Sequence, residues 1–451
     1  MVTALPPTQS YAAGISQDGT DFSYFVQLNL GSTGKPVWML LDTGAATTWV
    51  MGKYCTSSPC AMHNNFGPDD STTLKISSTP FSVQYGSGSV GGWIGTDTVS
   101  FAGTTMPYQF GLANRTSDDF VHFAFDGILG MSMSNGQTQN YMQTLKASKQ
   151  ISANVFGVYL SRNADGPNTG EISFGAPDKA KYTGDLVYTA VAASAGGDWA
   201  IPLDSISYDG KATGVAGGKL AYLDTGTSFV FGPKADVAAL YKLIPGAASA
   251  DGEIWTVPCN NNLPLAFSFS GVTYTVLPQD WISPPSSSGA CTGNIYGREV
   301  VPGAWLLGDV FLKNVYAVFD ADQTRIGKEP SSLATIDTAS LMSFTGLAKR
   351  VAVAVPASSP PTTPSLSPTV IPSNGTPTTL ITKPPPTAPG SSTKPTEGVS
   401  GHETGGATGT AAAETAGAPA APAQSSSPGE QLQGSNIASI VIVLVAVVMA
   451  A

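Results

Sequence analysis

One six-residue motif occurs twice in this 451-residue chain. Leu40-Leu41-Asp42-Thr43-Gly44-Ala45 is followed 182 residues later by Tyr222-Leu223-Asp224-Thr225-Gly226-Thr227. After each copy comes an element of two apolar residues and a glycine, Ile128-Leu129-Gly130 and Leu306-Leu307-Gly308, which places that glycine 88 and 84 residues beyond the aspartate. Because motif and spacing repeat together, the pattern predicts two similar halves related by approximate two-fold symmetry.

The segments around the first motif have the pattern of β-strands. Residues 24–30 alternate apolar and polar side chains and end at a Gly-rich turn, while residues 37–41 form a short apolar run typical of a buried strand. Similar runs follow, and only residues 137–148 and 233–243 favour helices. We therefore predict an all-β, bilobal head, with an N-terminal segment at 1–19 and lobes at 20–190 and 191–345.

Asp42 and Asp224 each end a buried apolar strand, where a lone ionised carboxylate is costly. The glycine of each motif lets backbone amides approach, and the threonine supplies a hydroxyl that can brace the opposite loop. If the symmetry brings the two carboxyls together, they share one proton, since both cannot ionise at contact distance. The ionised partner could then activate water while the protonated one polarises a carbonyl. Two independent turn aspartates are the structural alternative.

Charge and motif content argue against several functions. The chain has 31 acidic and 21 basic residues and a net charge of -10, which argues against nucleic-acid binding because phosphate neutralisation needs clustered cations. It contains neither G-x-S-x-G nor H-E-x-x-H, the motifs of serine hydrolases and zinc proteases.

Four cysteines and three histidines lack the spacing of a zinc site, and we expect no metal and no cofactor. The even cysteine count, arranged as one short and one longer loop, suits two local disulfides of a secreted protein. Four buried free thiols are the alternative.

Two N-x-[ST] sequons, at Asn114 and Asn374, predict N-glycosylation.

The C-terminal region has the composition of a surface tether. All aromatic residues precede residue 345, and residues 346–424 are rich in Pro, Ser and Thr, which predicts a disordered, O-glycosylated stalk. Residues 425–451 combine small residues at Ser425, a polar spacer and a 15-residue apolar end, the pattern of a GPI-attachment signal. A short single-pass anchor is the alternative. Since residues 1–19 have no secretory leader, we expect the true start to lie upstream.

Over about residues 20–330 these motifs resemble the pepsin family of aspartic proteases. The family motif Asp-Thr-Gly-Ser stands here as Asp42-Thr43-Gly44-Ala45, with Ala45 in place of the usual serine, and is intact as Asp224-Thr225-Gly226-Thr227-Ser228. The resemblance implies a monomeric endopeptidase with Asp42 and Asp224 as catalytic pair in a cleft between two lobes. It also implies activity at acidic pH on protein or peptide substrates.

Residues 81–89 resemble the flap hairpin of that family, and the resemblance implies that Tyr85 closes on the substrate while Trp49 hydrogen-bonds it. A packed strand aromatic is the alternative for Tyr85. The further substrate contacts implied are Thr43, Gly44, Gly86, Ser87, Phe120, Ile128, Gly226 and Thr227, with Thr225 in support. The implied disulfides are Cys55–Cys60 and Cys259–Cys291.

The substrate preference is open at this point. A pocket built from Tyr85, Phe120 and Ile128 favours a large apolar residue before the scissile bond. Asp118 and Asp119 could instead attract a basic residue, or could simply be solvated. The stalk and lipid signal are similar to those of fungal GPI-anchored, yapsin-like proteases, which implies a place at the plasma membrane or cell wall. A catalytically silent binding or wall protein on the same scaffold is the alternative function.

Overall fold

The computed structural model describes residues 1–86 and 88–330. Ser87, Asn374, the predicted stalk and the predicted lipid-attachment site at Ser425 lie outside these residues. The strands of the first half are β1 (Ala12–Gly14), β2 (Ser16–Gln17), β3 (Tyr24–Leu30), β4 (Lys35–Asp42), β5 (Trp49–Met51), β6 (Lys75–Tyr85), β7 (Gly88–Phe101), β8 (Thr104–Thr116), β9 (Gly127–Gly130), β10 (Val155–Tyr159), β11 (Glu171–Phe174) and β12 (Val187–Ala190).

The strands of the second half are β13 (Ala200–Pro202), β14 (Ser205–Tyr208), β15 (Lys211–Ala212), β16 (Leu220–Leu223), β17 (Val230–Phe231), β18 (Thr256–Val257), β19 (Leu265–Phe269), β20 (Val272–Val276), β21 (Cys291–Thr292), β22 (Ile295–Tyr296), β23 (Trp305–Leu307), β24 (Val315–Asp320) and β25 (Arg325–Pro330). The α-helices are α1 (Tyr141–Ala147), α2 (Lys234–Tyr241), α3 (Pro278–Trp281) and α4 (Asp309–Leu312). Short 3₁₀ segments lie at Ser58–Ala61, Asp118–His122, Asn163–Asp165, Lys179–Lys181 and Ala193–Ala195.

The same strand arrangement occurs once in each half. In the eight-stranded sheet β2-β3-β4-β9-β5-β8-β7-β6, strand β9 runs parallel to β4 and antiparallel to β5. In the five-stranded sheet β13-β16-β23-β17-β22, strand β23 runs parallel to β16 and antiparallel to β17. The two apolar-apolar-Gly elements are therefore β9 and the end of β23, and the predicted internal repeat is a repeat of structure. The all-β prediction is confirmed.

A six-stranded sheet joins the two halves, in the order β1-β11-β10-β24-β25-β12. Its core contact includes the stacked rings of Phe156 and Phe319, whose centroids lie 4.7 Å apart. The predicted boundary at residue 190 falls directly after β12, where the chain leaves this sheet. Strands β1 and β2 lie inside the segment 1–19, ahead of the first strand that the sequence pattern indicates. Their three and two residues are too short for alternation to reveal them.

Both predicted helices are present but shorter than the sequence pattern indicates. Helix α1 begins at residue 141 because the Asn140 side chain caps it, accepting a hydrogen bond from the Gln143 amide at 3.0 Å. Helix α2 begins directly after Pro233. In the part of the chain described, no helix is long and apolar enough to cross a membrane. The bonds Cys55–Cys60 and Cys259–Cys291 are formed, which confirms the implied disulfides.

Candidate active site

The two motif aspartates meet in the interior of the molecule. Asp42 is the last residue of β4 and Asp224 directly follows β16; the two residues are 0% and 2% exposed. The Gly44 amide donates to one oxygen of each carboxylate, at 2.9 Å to Asp42 Oδ1 and 3.2 Å to Asp224 Oδ1. A single N–H group thus contacts both carboxyls, which places them side by side.

Glycine is required at both motif positions because the carboxyls lie against the backbone. A Cβ atom on Gly226 would stand 2.3 Å from Asp42 Cγ, and one on Gly44 would stand 2.8 Å from Asp224 Cγ. Real Cβ atoms do not approach other heavy atoms this closely. Each glycine therefore makes room for the carboxyl of the opposite half, a constraint that acts across 180 positions for Gly44 and 184 for Gly226.

Thr43 and Thr225 tie the two loops together through a symmetric set of buried hydrogen bonds. The Thr43 hydroxyl donates to the Leu223 carbonyl at 2.8 Å, and the Thr225 hydroxyl donates to the Leu41 carbonyl at 2.6 Å. Each hydroxyl also accepts a hydrogen bond from the backbone amide of the other threonine. The Thr43 amide donates to the Thr225 hydroxyl at 3.1 Å, and the Thr225 amide donates to the Thr43 hydroxyl at 3.0 Å. These four bonds hold the loops in register and fix the separation of the carboxyls.

The hydrogen-bond donors around the two carboxyls are unequal. Asp224 accepts from the Gly44 and Gly226 amides on Oδ1 and from the Thr227 hydroxyl on Oδ2, the last at 2.7 Å. Asp42 accepts amides only on Oδ1, from Gly44 and Ala45, and its buried Oδ2 has no donor within the described residues. Donors stabilise the ionised form of a carboxyl, so this set favours the negative charge on Asp224 and the shared proton on Asp42.

Burial raises the pKa of both groups. For Asp42, burial acts together with the negative charge of Asp224 and lifts the pKa well above its ordinary value, against the opposing effect of the two amides. Burial also raises the pKa of Asp224, while the Thr227 hydroxyl and the Gly226 amide lower it. Two carboxyls in contact titrate as a pair, and this pair retains one proton into a higher pH range than an isolated aspartate.

An aromatic cluster stands beside the carboxyl pair. The indole Nε1–H of Trp49 donates to the Tyr85 hydroxyl at 2.6 Å, and the ring of Phe120 packs edge-on against both aromatic rings. Ile128 belongs to the same buried cluster. Tyr85 is 3% exposed, and its burial and the nearby Asp42 charge raise its pKa. The structure thus gathers the sequence-predicted residues of the flap and the apolar pocket.

The remaining predicted residues lie nearer the surface. Gly86 is exposed at the end of the hairpin, and Asp118 and Asp119 are exposed in the 3₁₀ segment that carries Phe120. Asn114 is half-buried in β8. Within the described residues, no group of three or more His, Cys, Asp or Glu side chains gathers as a metal site would.

Three further side chains lie in this region without a role predicted from the sequence. Gln137 holds the hairpin strand β6 through two bonds to the Ser82 backbone, at 3.0 and 2.6 Å. His63 lies between the Phe120 carbonyl and the Asp126 carboxylate. Asp309 is buried, has an Oδ1 with no hydrogen-bond partner in the described part, and has its pKa raised well above the ordinary value by burial. Gln137 and His63 belong to no local motif, so only proximity in space reveals them, whereas Asp309 directly follows the repeated Leu306-Leu307-Gly308 element.

A bilobal β fold with two Asp-Thr-Gly loops meeting at a shared pair of carboxyls defines the class of pepsin-like proteins. Residues 23–330 match the family described as eukaryotic aspartyl protease. The chain belongs to this family.

Among curated proteins, the chain is similar to the probable aspartic-type endopeptidase CTSD of Arthroderma benhamiae, with 43% identity over 328 residues, 72% of this chain and 64% of the relative. It is 41% identical to the aspartic-type endopeptidase ctsD of Aspergillus fumigatus over 332 residues, 72% of this chain and 69% of the relative. Pepsin A of Sus scrofa is 36% identical over 321 residues, 69% of this chain and 82% of the relative. The chain thus spans somewhat less than two thirds of the Arthroderma relative.

Proposed function

We propose that this chain is an aspartic endopeptidase. The observation that carries the proposal is the buried carboxyl pair, in which one Gly44 amide contacts both aspartates and Asp42 Oδ2 is left without a donor in the described residues. Family membership and the similarity to proteins named as endopeptidases support it. A pair that retains one proton supplies a general base and a general acid at the same point, as peptide hydrolysis requires.

The unequal donors assign a role to each carboxyl. Asp224 carries the negative charge and removes a proton from a water molecule, which attacks the carbonyl carbon of the scissile peptide. Asp42 donates its proton to the carbonyl oxygen, which becomes a hydroxyl in the tetrahedral intermediate. The proton taken by Asp224 then passes to the leaving nitrogen and the C–N bond breaks. One hydroxyl of the intermediate gives its proton to the ionised Asp42, which restores the starting state of the pair.

We propose a large apolar residue on the acyl side of the scissile bond. Tyr85, Phe120 and Ile128 form one apolar cluster beside the carboxyls, and an apolar side chain gains most by leaving water there. The exposed Asp118 and Asp119 are solvated, and their attraction for a basic residue is weakened by water and salt. A peptide library with varied residues at that position tests this: a preference for Lys or Arg that disappears in the D118N/D119N double variant would overturn it.

Catalysis is tested by replacing each carboxyl with its amide. Asp224→Asn and Asp42→Asn should each abolish cleavage of an unfolded protein at acidic pH with the fold intact, because the amide can neither share the proton nor act as base. Asp69→Asn is the matched control, since Asp69 is an exposed turn residue. Full activity in the amide variants would overturn the proposal. Failure of the wild type both to cleave and to bind a statine-type inhibitor would favour the silent binding protein.

We further propose that the protein is held by a lipid anchor on the outer face of the plasma membrane or in the cell wall. The stalk composition and the apolar C-terminal pattern support this. Phosphatidylinositol-specific phospholipase C should release the protein from intact fungal cells that express it with a secretion leader. Retention after treatment, together with an intact C-terminal apolar stretch by mass spectrometry, would favour a single-pass anchor instead.

A further inference from the structure

The first half carries an apolar cavity of about 260 Å³ that the carboxyl pair and its aromatic cluster do not use. Tyr54, Ile76 and Trp93 line it and are 67%, 43% and 43% exposed, so three large apolar side chains meet the solvent at one place. Exposed apolar side chains that gather beside one cavity are a candidate contact site. The volume lies just below the roughly 300–1,000 Å³ of pockets for drug-sized ligands, so it suits a single ring-sized group.

The sequon residue Asn114 lies in the wall of this same cavity. Strands β7 and β8 pair Gly92 with Ala113 and Gly91 with Arg115, so Asn114 is the extra residue of a β-bulge. A bulge redirects a side chain that would otherwise follow the alternation of the strand. The strand thus breaks its register at the one residue of the folded head that carries an N-x-[ST] sequon.

The amide of Asn114 is available for modification. Arg115 Nη1 donates to Asn114 Oδ1 at 3.3 Å, and Asn114 Nδ2 donates no hydrogen bond within residues 1–86 and 88–330. Nδ2 is the atom to which an N-linked sugar is attached. Glycosylation forms the bond from Nδ2 to the anomeric carbon of the sugar and breaks that carbon's bond to its lipid-pyrophosphate carrier. The pyrophosphate leaves with the electron pair and the amide loses a proton.

We infer that the cavity is occupied by the first sugar of an N-linked glycan on Asn114, with the C–H face of the sugar ring packed on Trp93 and Tyr54. An N-acetylhexosamine has an apolar ring face and a polar rim, which matches aromatic walls beside Lys53 and Asn114. Because the sugar is attached at the cavity wall, its effective concentration at the cavity is high, and weak contacts are enough to keep the ring in place. The inference rests on the proposed passage through the secretory pathway.

The test uses the full chain secreted from a eukaryotic host. Thr116→Ala removes the sequon without changing Asn114, and Thr116→Ser keeps the sequon as the matched control. Trp93, at 43%, is the most exposed of the seven tryptophans, while Trp38 and Trp255 are half-buried and the other four are buried. Quenching of tryptophan fluorescence by acrylamide therefore responds most strongly to this ring, and Trp93→Phe isolates its contribution. We expect a glycan on the Asn114 peptide of the wild type and of Thr116→Ser, and protection of Trp93 from quenching in both.

That protection should be lost in Thr116→Ala and after enzymatic deglycosylation of the wild type, and Trp93→Phe should remove the difference between glycosylated and deglycosylated protein. An unmodified Asn114 in the secreted protein would overturn the inference. Equal quenching before and after deglycosylation would also overturn it, because the glycan would then lie away from the cavity. Peptidase activity measured on the same samples reports separately on the proposed function.

Discussion

Ala45 and Thr227 occupy equivalent positions, three residues after the two motif aspartates, and only Thr227 donates a side-chain hydrogen bond to its aspartate, at 2.7 Å to Asp224 Oδ2. The corresponding oxygen of Asp42 is buried and has no donor in the described part of the chain. This difference between two otherwise symmetric loops favours the shared proton on Asp42.

Ala45→Ser should supply the missing donor to Asp42. The hydroxyl would stabilise the ionised form of Asp42 and lower its pKa, so the alkaline limb of activity should move to lower pH. A hydrogen bond to a charged group contributes roughly 1.5–3 kcal/mol, which corresponds to about one to two pH units. The measurement is kcat/KM against pH. Ala46→Ser adds a hydroxyl one residue further on and should leave the profile in place; an unmoved limb in Ala45→Ser would contradict the assignment of the proton.

Trp49→Phe should remove the hydrogen bond that holds the side chain of the hairpin residue Tyr85. The buried Tyr85 hydroxyl would lose the indole donor that now lies 2.6 Å away, at a cost of about 1–3 kcal/mol in the free energy of unfolding. We also expect kcat/KM to fall, because Tyr85 would no longer be held beside the carboxyls. Tyr85→Phe completes a double-mutant cycle by urea unfolding. Additive effects of the two substitutions would show that the bond contributes nothing.

Thr43→Val should destabilise the junction of the two loops. It keeps the side-chain shape but leaves the Leu223 carbonyl and the Thr225 amide unpaired in a buried place, at about 1–3 kcal/mol for each group. Thr43→Ser retains the hydroxyl and serves as control. Urea unfolding should rank the proteins as wild type, Ser and then Val. A Val variant as stable as the Ser variant would show that the hydroxyl bonds are dispensable.

Asp280→Asn should disrupt a buried ion cluster in the second half. Asp280 is 2% exposed and contacts Arg162 Nη2 at 2.8 Å and Lys313 Nζ at 3.3 Å. Burial tends to raise its pKa, but the charges of Lys313 and Arg162 outweigh burial and lower it. Removing the carboxylate leaves the buried Lys313 without its ion pair and leaves Arg162 paired with Asp165 alone, and it should cost about 3–5 kcal/mol.

The lowered pKa of Asp280 sets the pH range in which the ion cluster stabilises the fold. A carboxyl with a depressed folded pKa stabilises above its unfolded value, near 3.9, and loses that contribution only as pH falls through the lower folded value. Urea unfolding at pH 5 should therefore show the full loss in Asp280→Asn, while Asp69→Asn stays near the wild type. Equal stabilities at pH 5 would contradict a stabilising role of the cluster.

His63 should make stability fall as pH rises above its ordinary pKa of 6.5. Its ring lies with Nε2 3.1 Å from the Phe120 carbonyl and Nδ1 3.7 Å from Asp126 Oδ1. Burial opposes protonation, but the contacts with Asp126 and the Phe120 carbonyl outweigh burial and raise the pKa of His63 above 6.5. The contribution is fully present below the unfolded pKa and is lost as pH rises through the folded one.

The check is the thermal unfolding midpoint between pH 5 and 8. The wild type should lose more stability over the upper part of this range than His63→Gln, which can donate to the Phe120 carbonyl without titrating. His122→Gln, in the same 3₁₀ segment as Phe120 but exposed, should behave as the wild type. Parallel curves for wild type and His63→Gln would exclude this role.

The repeated motif made much of the site predictable from the sequence. Asp42 and Asp224 stand in short local patterns, a buried strand followed by a tight loop, and such patterns need no knowledge of distant residues. The all-β fold was predictable for the same reason, whereas the two disulfide pairings came from the resemblance to the family. The ends of the helices were less predictable. Helix α1 begins where the Asn140 side chain accepts a hydrogen bond from the Gln143 amide, and not at the first residue of the helical pattern in the sequence.

The sequence by itself determined that two equivalent carboxyl-bearing loops exist, and that Ala45 of the first loop lacks the hydroxyl that Thr227 brings to the second. It predicted a shared proton on the condition that the fold brings the two carboxyls together. Only the tertiary structure decided that the two carboxyls meet, since the Gly44 amide reaches Asp224 across 180 positions and no local pattern records a donor from the other half. The same holds for Gln137 against the hairpin and for the bulge at Asn114. Burial and hydrogen bonding are set by whatever surrounds a group in space, and in this fold those neighbours come from distant parts of the chain.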